Sequence, residues 1–185
     1  MEFLGLKDKV ILVTGGNRGI GAAIVHLLQQ LGARVAYTYR NEPNYESAAL
    51  AIQADVTDKD AMETAIELVE QKFGSVYGVV ANSGITRDNF FHKLTSEDWD
   101  AVIDTNLKGV YHTFLPVIPK LYKQGEGSLV SITSISGERG NLGQTNYSAS
   151  KSALIGFTKS LARKLAFIRS RNGPTTPSGW RRAVS

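Results

Sequence analysis

The chain has 185 residues, 42% of them hydrophobic and 21% charged, with no cysteine and a formal net charge of +4. Those values exclude a disordered chain, a disulfide framework and a thiolate metal site, and no run of about 18 apolar residues offers a membrane helix. The basic excess lies at the end, where Arg169, Arg171, Arg181 and Arg182 follow Phe167 without an accompanying acid. Basicity confined to a tail gives the fold no nucleic-acid-binding surface.

Lys9–Thr14 (K-V-I-L-V-T) is a short apolar run suited to a buried strand, and the helical pattern after the following glycines ends at Gly32. Arg34–Tyr39 reads as a second strand. A loop or single turn broken by Pro43 leads to a third at Ala48–Ala54. Thr57 is placed to cap a helix to Phe73, with Asp60 in a capping-box position. Val76–Ala81 reads as a fourth strand. Thr95 or Ser96 caps helical pieces that run to about Lys123 and kink at Pro116. Ser128–Thr133 is a fifth strand, and a glycine-bearing loop leads to a helix over Asn146–Ala166. Alternating strands and helices predict an α/β, doubly wound parallel sheet of Rossmann type, with helices on both faces and ligands above the strands' carboxyl ends. The expected organisation is one domain over 1–166 and a basic, irregular or disordered tail over 167–185.

Thr14-Gly15-Gly16-Asn17-Arg18-Gly19-Ile20-Gly21 follows the first strand and opens a helix, the context of a dinucleotide loop. In this reading Gly15 makes the tight turn, Gly19 lets backbone approach a pyrophosphate, and Gly21 lets helix and strand pack closely. The helix amino terminus presents free N–H groups to the anion. An acid ending the second strand would hold a ribose 2′-hydroxyl and repel a 2′-phosphate; Tyr39-Arg40-Asn41 stands there instead. Arg40 with Arg18 suits a phosphate clamp, so NADP(H) is expected over NAD(H). Asp55, in Asp55-Val56, is either an acceptor for the adenine amino group or a turn acid. Asn82-Ser83-Gly84 is small enough to lie along the cofactor ribose.

Asn106, Ser134, Tyr147 and Lys151 form the candidate catalytic set. Tyr147 and Lys151 are four apart, on one helix face, and a phenol beside an ammonium is a tuned proton donor for a carbonyl or alcohol. His26, His92 and His112 are scattered in sequence, and no metal site is expected.

Together these motifs resemble the short-chain dehydrogenase/reductase family over about residues 7–166. Within it, G-I-T-R-D-N at 84–89 and G-Q-T-N-Y-S-A-S-K at 143–151 resemble the 3-oxoacyl-[acyl-carrier-protein] reductase branch, with the acetoacetyl-CoA reductase branch a close second. A cytoplasmic location is the default expectation from the cysteine-free chain and its lack of a signal-peptide core. The resemblance implies an oxidoreductase of fatty acid biosynthesis, moving hydride from NADPH to the ketone of a 3-oxoacyl thioester. Tyr147 would protonate the alkoxide, and Lys151 would tune Tyr147 and bind the nicotinamide ribose. Ser134 would polarise the carbonyl, and Asn106 would support a water chain to Lys151. It also implies a homodimer or homotetramer through the helices near 105–122 and 146–166. An isomerase or dehydratase on the same fold is disfavoured, because the four residues are a hydride-transfer set.

The sequence departs from the family at three places. Ala81 and Ser83 alter an N-N-A-G-like segment, which is expected to cost a sheet hydrogen bond. Gly125-Glu126 replaces residues that are often basic in carrier-protein reductases, favouring a CoA thioester or another ketone. The family's last strands and substrate-covering helices have no counterpart after Ala166. That makes a weak or catalytically dead nucleotide-binding fragment the alternative expectation.

Overall fold

The computed structural model describes residues 5–41 and 49–171, with backbone alone after Leu165. Strands β1 (Val10–Thr14), β2 (Arg34–Tyr39), β3 (Leu50–Gln53), β4 (Val76–Ala81) and β5 (Ser128–Ser131) form one parallel sheet in the order β3-β2-β1-β4-β5. The chain winds outward from β1 in both directions, so the order reverses between β1 and β4. A crevice opens there above the carboxyl ends.

Strand alternation builds two cores from one sheet. Val10 and Leu12 of β1 pack on one face with Met62, Ile66 and Val69 of α2 (Lys59–Phe73). Ile11 and Val13 pack on the other with Val25 of α1 (Gly19–Gln30) and Tyr37. Because both faces are covered, β1 is buried throughout, and Val10–Val13 run apolar without alternating. The fold is thus the doubly wound α/β architecture expected.

Between β4 and β5 lie α3 (Ser96–Ile103), α4 (Gly109–Phe114) and α5 (Ile118–Gln124). Thr95 caps α3 by accepting from the Asp98 N–H at 3.1 Å. Asp104–Lys108 forms a π-helical turn between α3 and α4, which the sequence pattern did not signal. Pro116 falls in the gap between α4 and α5, as its missing N–H requires.

Two helices follow β5. Ile135–Arg139 forms the short α6, where a loop was expected, and α7 runs over Thr145–Arg171, past the expected end at Ala166. The face that α7 turns inward changes character along its length. Asn146, Ser150 and Lys151 are buried near its start; Leu154 and Leu165 are buried further on, with Phe157 and Leu161 packed against the core between them. Its apolar part anchors the helix and its polar part reaches the strand ends.

The amino-terminal cap of α2 is a correction. Asp58, not Thr57, accepts from the N–H groups of Asp60 and Ala61, at 2.9 and 3.0 Å. Thr57 is engaged elsewhere, donating both its N–H and its hydroxyl to Asp55 Oδ1. The break expected at Pro43 lies outside the described residues, as does Ala48. At Ala81 the sheet ladder is intact, since Ile132 N donates to the Ala81 carbonyl at 3.0 Å.

Candidate active site

A cleft of about 470 Å³ opens at the reversal of strand order. Gly15, Asn17, Arg18, Gly19, Ile20 and Gly21 line it from the loop after β1 and the start of α1. Arg40 follows β2, Asp55 and Val56 follow β3, and Asn82, Ser83 and Gly84 follow β4. Every residue singled out for the dinucleotide loop and its walls reaches this one cleft. Tyr39, Asn41, Ala54, Ile85 and Thr105 line it too; their only signal was adjacency to strand ends or to Asn106.

The loop's shape is imposed from β4. The Asn82 side chain donates to the carbonyls of Thr14 and Gly15, at 2.9 and 3.1 Å. The Thr14 hydroxyl accepts from the N–H groups of Asn82 and Ser83. Gly15 turns with φ of 64°, and a Cβ on Gly21 would strike the Gly15 carbonyl oxygen and the Asn82 amide. Gly21→Ala is therefore expected to lower the melting temperature by about 5 °C, an overpacking cost of ~1–3 kcal/mol. A thermal melt matching the parent protein would show that this contact has room to relax.

The loop fits a dinucleotide on its own geometry: a left-handed turn, an open helix amino terminus and two arginines on one cleft. Arg40 Nη1 lies 4.0 Å from Asp55 Oδ2, with the guanidinium still mostly exposed. Asp55 thus takes part in its own turn through Oδ1 and faces Arg40 through Oδ2.

Gly84 joins this cleft to the second cluster. A Cβ there would lie 3.3 Å from Asn106 Oδ1 and 3.6 Å from Lys151 Nζ. Asn106 sits in the π turn, fully buried; its amide brackets Ile85, accepting from that N–H at 2.8 Å and donating to that carbonyl at 3.0 Å. Its other N–H donates to Ser150 Oγ at 3.0 Å, and Ser150 in turn donates to the Tyr147 carbonyl at 2.7 Å. Both amide hydrogens of Asn106 are thus engaged in tying the cleft wall to the first turn of α7.

Lys151 is 4% exposed, and its ammonium donates to the Ile132 carbonyl at 2.7 Å. Burial lowers its pKa from 10.5 to about 8. The ammonium lies 5.7 Å from the centre of the half-buried Tyr147 ring. Ser134 caps α6, its hydroxyl oxygen accepting from the Ser136 N–H at 3.2 Å, which leaves its own hydrogen available to donate. Gly137 sets the fit of α6 on α7, because a Cβ there would fall 2.7 Å from the Lys151 carbonyl carbon. Gly137, three residues after Ser134, is thus the point where α6 lies against the α7 backbone at Lys151.

The histidines do other work: His26 pairs with Gln30, His92 stacks on Phe90, and His112 Nδ1 meets the Val56 carbonyl at 3.1 Å. Among the described residues no cluster of three metal-binding side chains forms, and no helix is long and apolar enough to cross a membrane.

A Rossmann sheet with this glycine loop, and a Tyr–Lys pair on the long helix after β5, defines a short-chain oxidoreductase scaffold. Residues 9–169 match the short chain dehydrogenase family, and the chain belongs to it. It is 56% identical over 177 residues to the acetoacetyl-CoA reductase of Synechocystis sp., covering 96% of this chain and 74% of that protein. It is 42% identical over 171 residues to the 3-oxoacyl-[acyl-carrier-protein] reductase FabG of Thermotoga maritima, covering 87% and 70%. The FabG of Staphylococcus epidermidis is 41% identical over 170 residues, covering 86% and 70%.

Proposed function

We propose that the chain is a reductase of 3-oxoacyl thioesters, converting the ketone to a 3-hydroxyacyl product with NADPH. The observation that supports this most is the buried Lys151, one turn from Tyr147 and beside Gly84 of the cleft. A buried ammonium is costly, and its place beside a phenol suits a site that must stabilise negative oxygen as it forms.

Bound NADPH supplies the hydride that reduces the ketone carbon. The Ser134 hydroxyl donates to the ketone oxygen and holds it near the Tyr147 phenol. Tyr147 gives its proton to that oxygen as negative charge develops, so the product is a secondary alcohol. Lys151 favours the phenolate left behind and helps return a proton to it. Asn106 holds Ile85 and α7 in register, its part in any water chain to Lys151 falling to oxygen atoms rather than to its engaged N–H groups. Gly15, Asn17, Arg18, Gly19, Ile20 and Gly21 are the residues for the pyrophosphate side of the cofactor. Arg18 and Arg40 would hold the 2′-phosphate, and Asp55, Val56, Asn82, Ser83 and Gly84 would hold the adenine and ribose.

CoA is the favoured carrier. Glu126 places an acid where a carrier protein would seek a base, and its carboxylate pairs with Lys9 at 2.8 Å. The relative at 56% identity is named for a CoA thioester. The test compares NADPH oxidation with acetoacetyl-CoA and with a carrier-bound 3-oxoacyl group, using protein of verified mass. Faster turnover of acetoacetyl-CoA is expected, and no oxidation with either would discard the reading.

Arg40→Asp tests the cofactor. Losing one charge-assisted contact and adding a repulsive one should weaken NADPH binding by ~10–100-fold and improve NADH use. Unchanged NADPH affinity by fluorescence titration would remove Arg40 from the clamp.

A further inference from the structure

The segment after β4 does more than line the cleft. Its backbone and side chains are gripped at four successive points: Ile85 by Asn106, the Arg87 carbonyl by Asn146, Asp88 by Gln144, and Asn89 N by the Gly143 carbonyl. Three of those partners belong to the approach and first turn of α7, which carries Tyr147.

Gln144 is the branching point. Its Nε2 donates to Asp88 Oδ2 at 2.8 Å. Its Oε1 accepts from the Ser136 hydroxyl at 3.1 Å and from Asn141 Nδ2 at 3.0 Å. Its main-chain carbonyl accepts from Ser148 N at 2.7 Å, starting the α7 ladder. Ser136 in turn gives its N–H to Ser134 Oγ. One residue therefore touches the cap residue's partner on α6, the entry to α7 and the cleft-wall segment at once. We propose that Gln144 is a positioning residue, held by Asp88, that fixes the Ser134 hydroxyl relative to the Tyr147 phenol.

The chemistry demands an amide. Position 144 must donate to a carboxylate on one side and accept from a hydroxyl and an amide on the other. A neutral carboxamide does both, its NH2 donating on one side and its carbonyl oxygen accepting two bonds on the other. The inference rests on the reductase reading, since it assigns Gln144 to the spacing of that site's proton donor and carbonyl-binding hydroxyl.

Gln144→Glu sets two carboxylates against each other. It should lower kcat by about tenfold or more, as a small displacement of reacting groups does, with the KM for NADPH unchanged. Adding Asp88→Asn turns position 88 into the donor and leaves the new carboxylate at 144 as an acceptor towards all three neighbours. In that double variant kcat should return to within about threefold of the parent. Gln144→Met loses the bonds without adding charge, so it should lose kcat similarly and gain nothing from Asp88→Asn. A Gln144→Glu variant with parental kcat overturns the proposal, as does a double variant no better than the single one. Rescue of the methionine variant by Asp88→Asn overturns it too.

If the parent protein reduces neither thioester, the substrate reading fails separately, and amide exchange at Ser148 becomes the readout. Faster exchange in Gln144→Glu that recovers in the double variant supports the clamp; exchange equal in all forms overturns it.

Discussion

Tyr147→Phe is expected to lower turnover by about three orders of magnitude while leaving dinucleotide binding intact, the loss typical when a positioned proton donor is removed. Phenylalanine keeps the ring and its half-buried packing, and the first turn of α7 is fixed by other groups. Tyr147 N donates to Asn146 Oδ1 at 2.8 Å, and the Tyr147 carbonyl accepts from Ser150. The walls of the glycine-loop cleft come from other elements. Only the hydroxyl is removed, and with it the proton that the proposed mechanism gives to the forming alkoxide. The Ser134 hydroxyl can still polarise the ketone, so a residual rate should survive. Stopped-flow NADPH oxidation beside a fluorescence titration separates the two effects. A variant that turns over within tenfold of the parent would take Tyr147 out of the mechanism; one that no longer binds NADPH would make it a cofactor ligand first.

The fold was legible where sequence punctuation and burial agree. β2 and β4 have the expected bounds because glycines with positive φ, Gly32 and Gly74, stop the helices just before them. The cleft was legible because a strand-glycines-helix order has few uses: the residues marked at the ends of β1 to β4 line it, while Tyr147 and Lys151, also expected to hold the cofactor, do not. What stayed hidden depends on packing. Residues Ile135–Arg139 are too short and too polar to announce a helix; α6 exists because Gly137 lets it lie against α7. The π turn changes hydrogen-bond register without changing composition, yet it is what carries Asn106 to Ile85. The choice of Asp58 over Thr57 as a cap turned on Asp55, which claims the threonine from the end of β3. Gln144 and Asn146 were passed over because a single amide has no spacing rule; their importance appears only once 85–89 is seen against α7.

Lys151→Met should give a protein that is nearly inactive and more stable than its parent. The side chain is 4% exposed, and burial takes the ammonium from 10.5 to about 8. By linkage that drop is a destabilisation of about 3 kcal/mol at neutral pH, carried by the charged form in the folded state. Methionine removes it and fills similar volume, but it also removes the 2.7 Å bond to the Ile132 carbonyl, at a cost of about 1 kcal/mol. The net gain is about 1–2 kcal/mol, a rise in melting temperature of several degrees for a chain this size. The sign of the pH dependence follows from the two pKa values. Below about 8 both states hold the proton, and the penalty is complete. Between about 8 and 10.5 the unfolded chain binds it more than the folded one, so the parent gains stability relative to the variant as pH rises. Melting curves at about pH 7 and about pH 9.5, on either side of the folded-state value, should therefore show the gap between the two proteins narrowing. A methionine variant less stable than its parent at neutral pH, or a gap that ignores pH, would mean that the ammonium is stabilised where it sits. A methionine variant that is both more stable and inactive would mark Lys151 as a cation kept for chemistry rather than for folding.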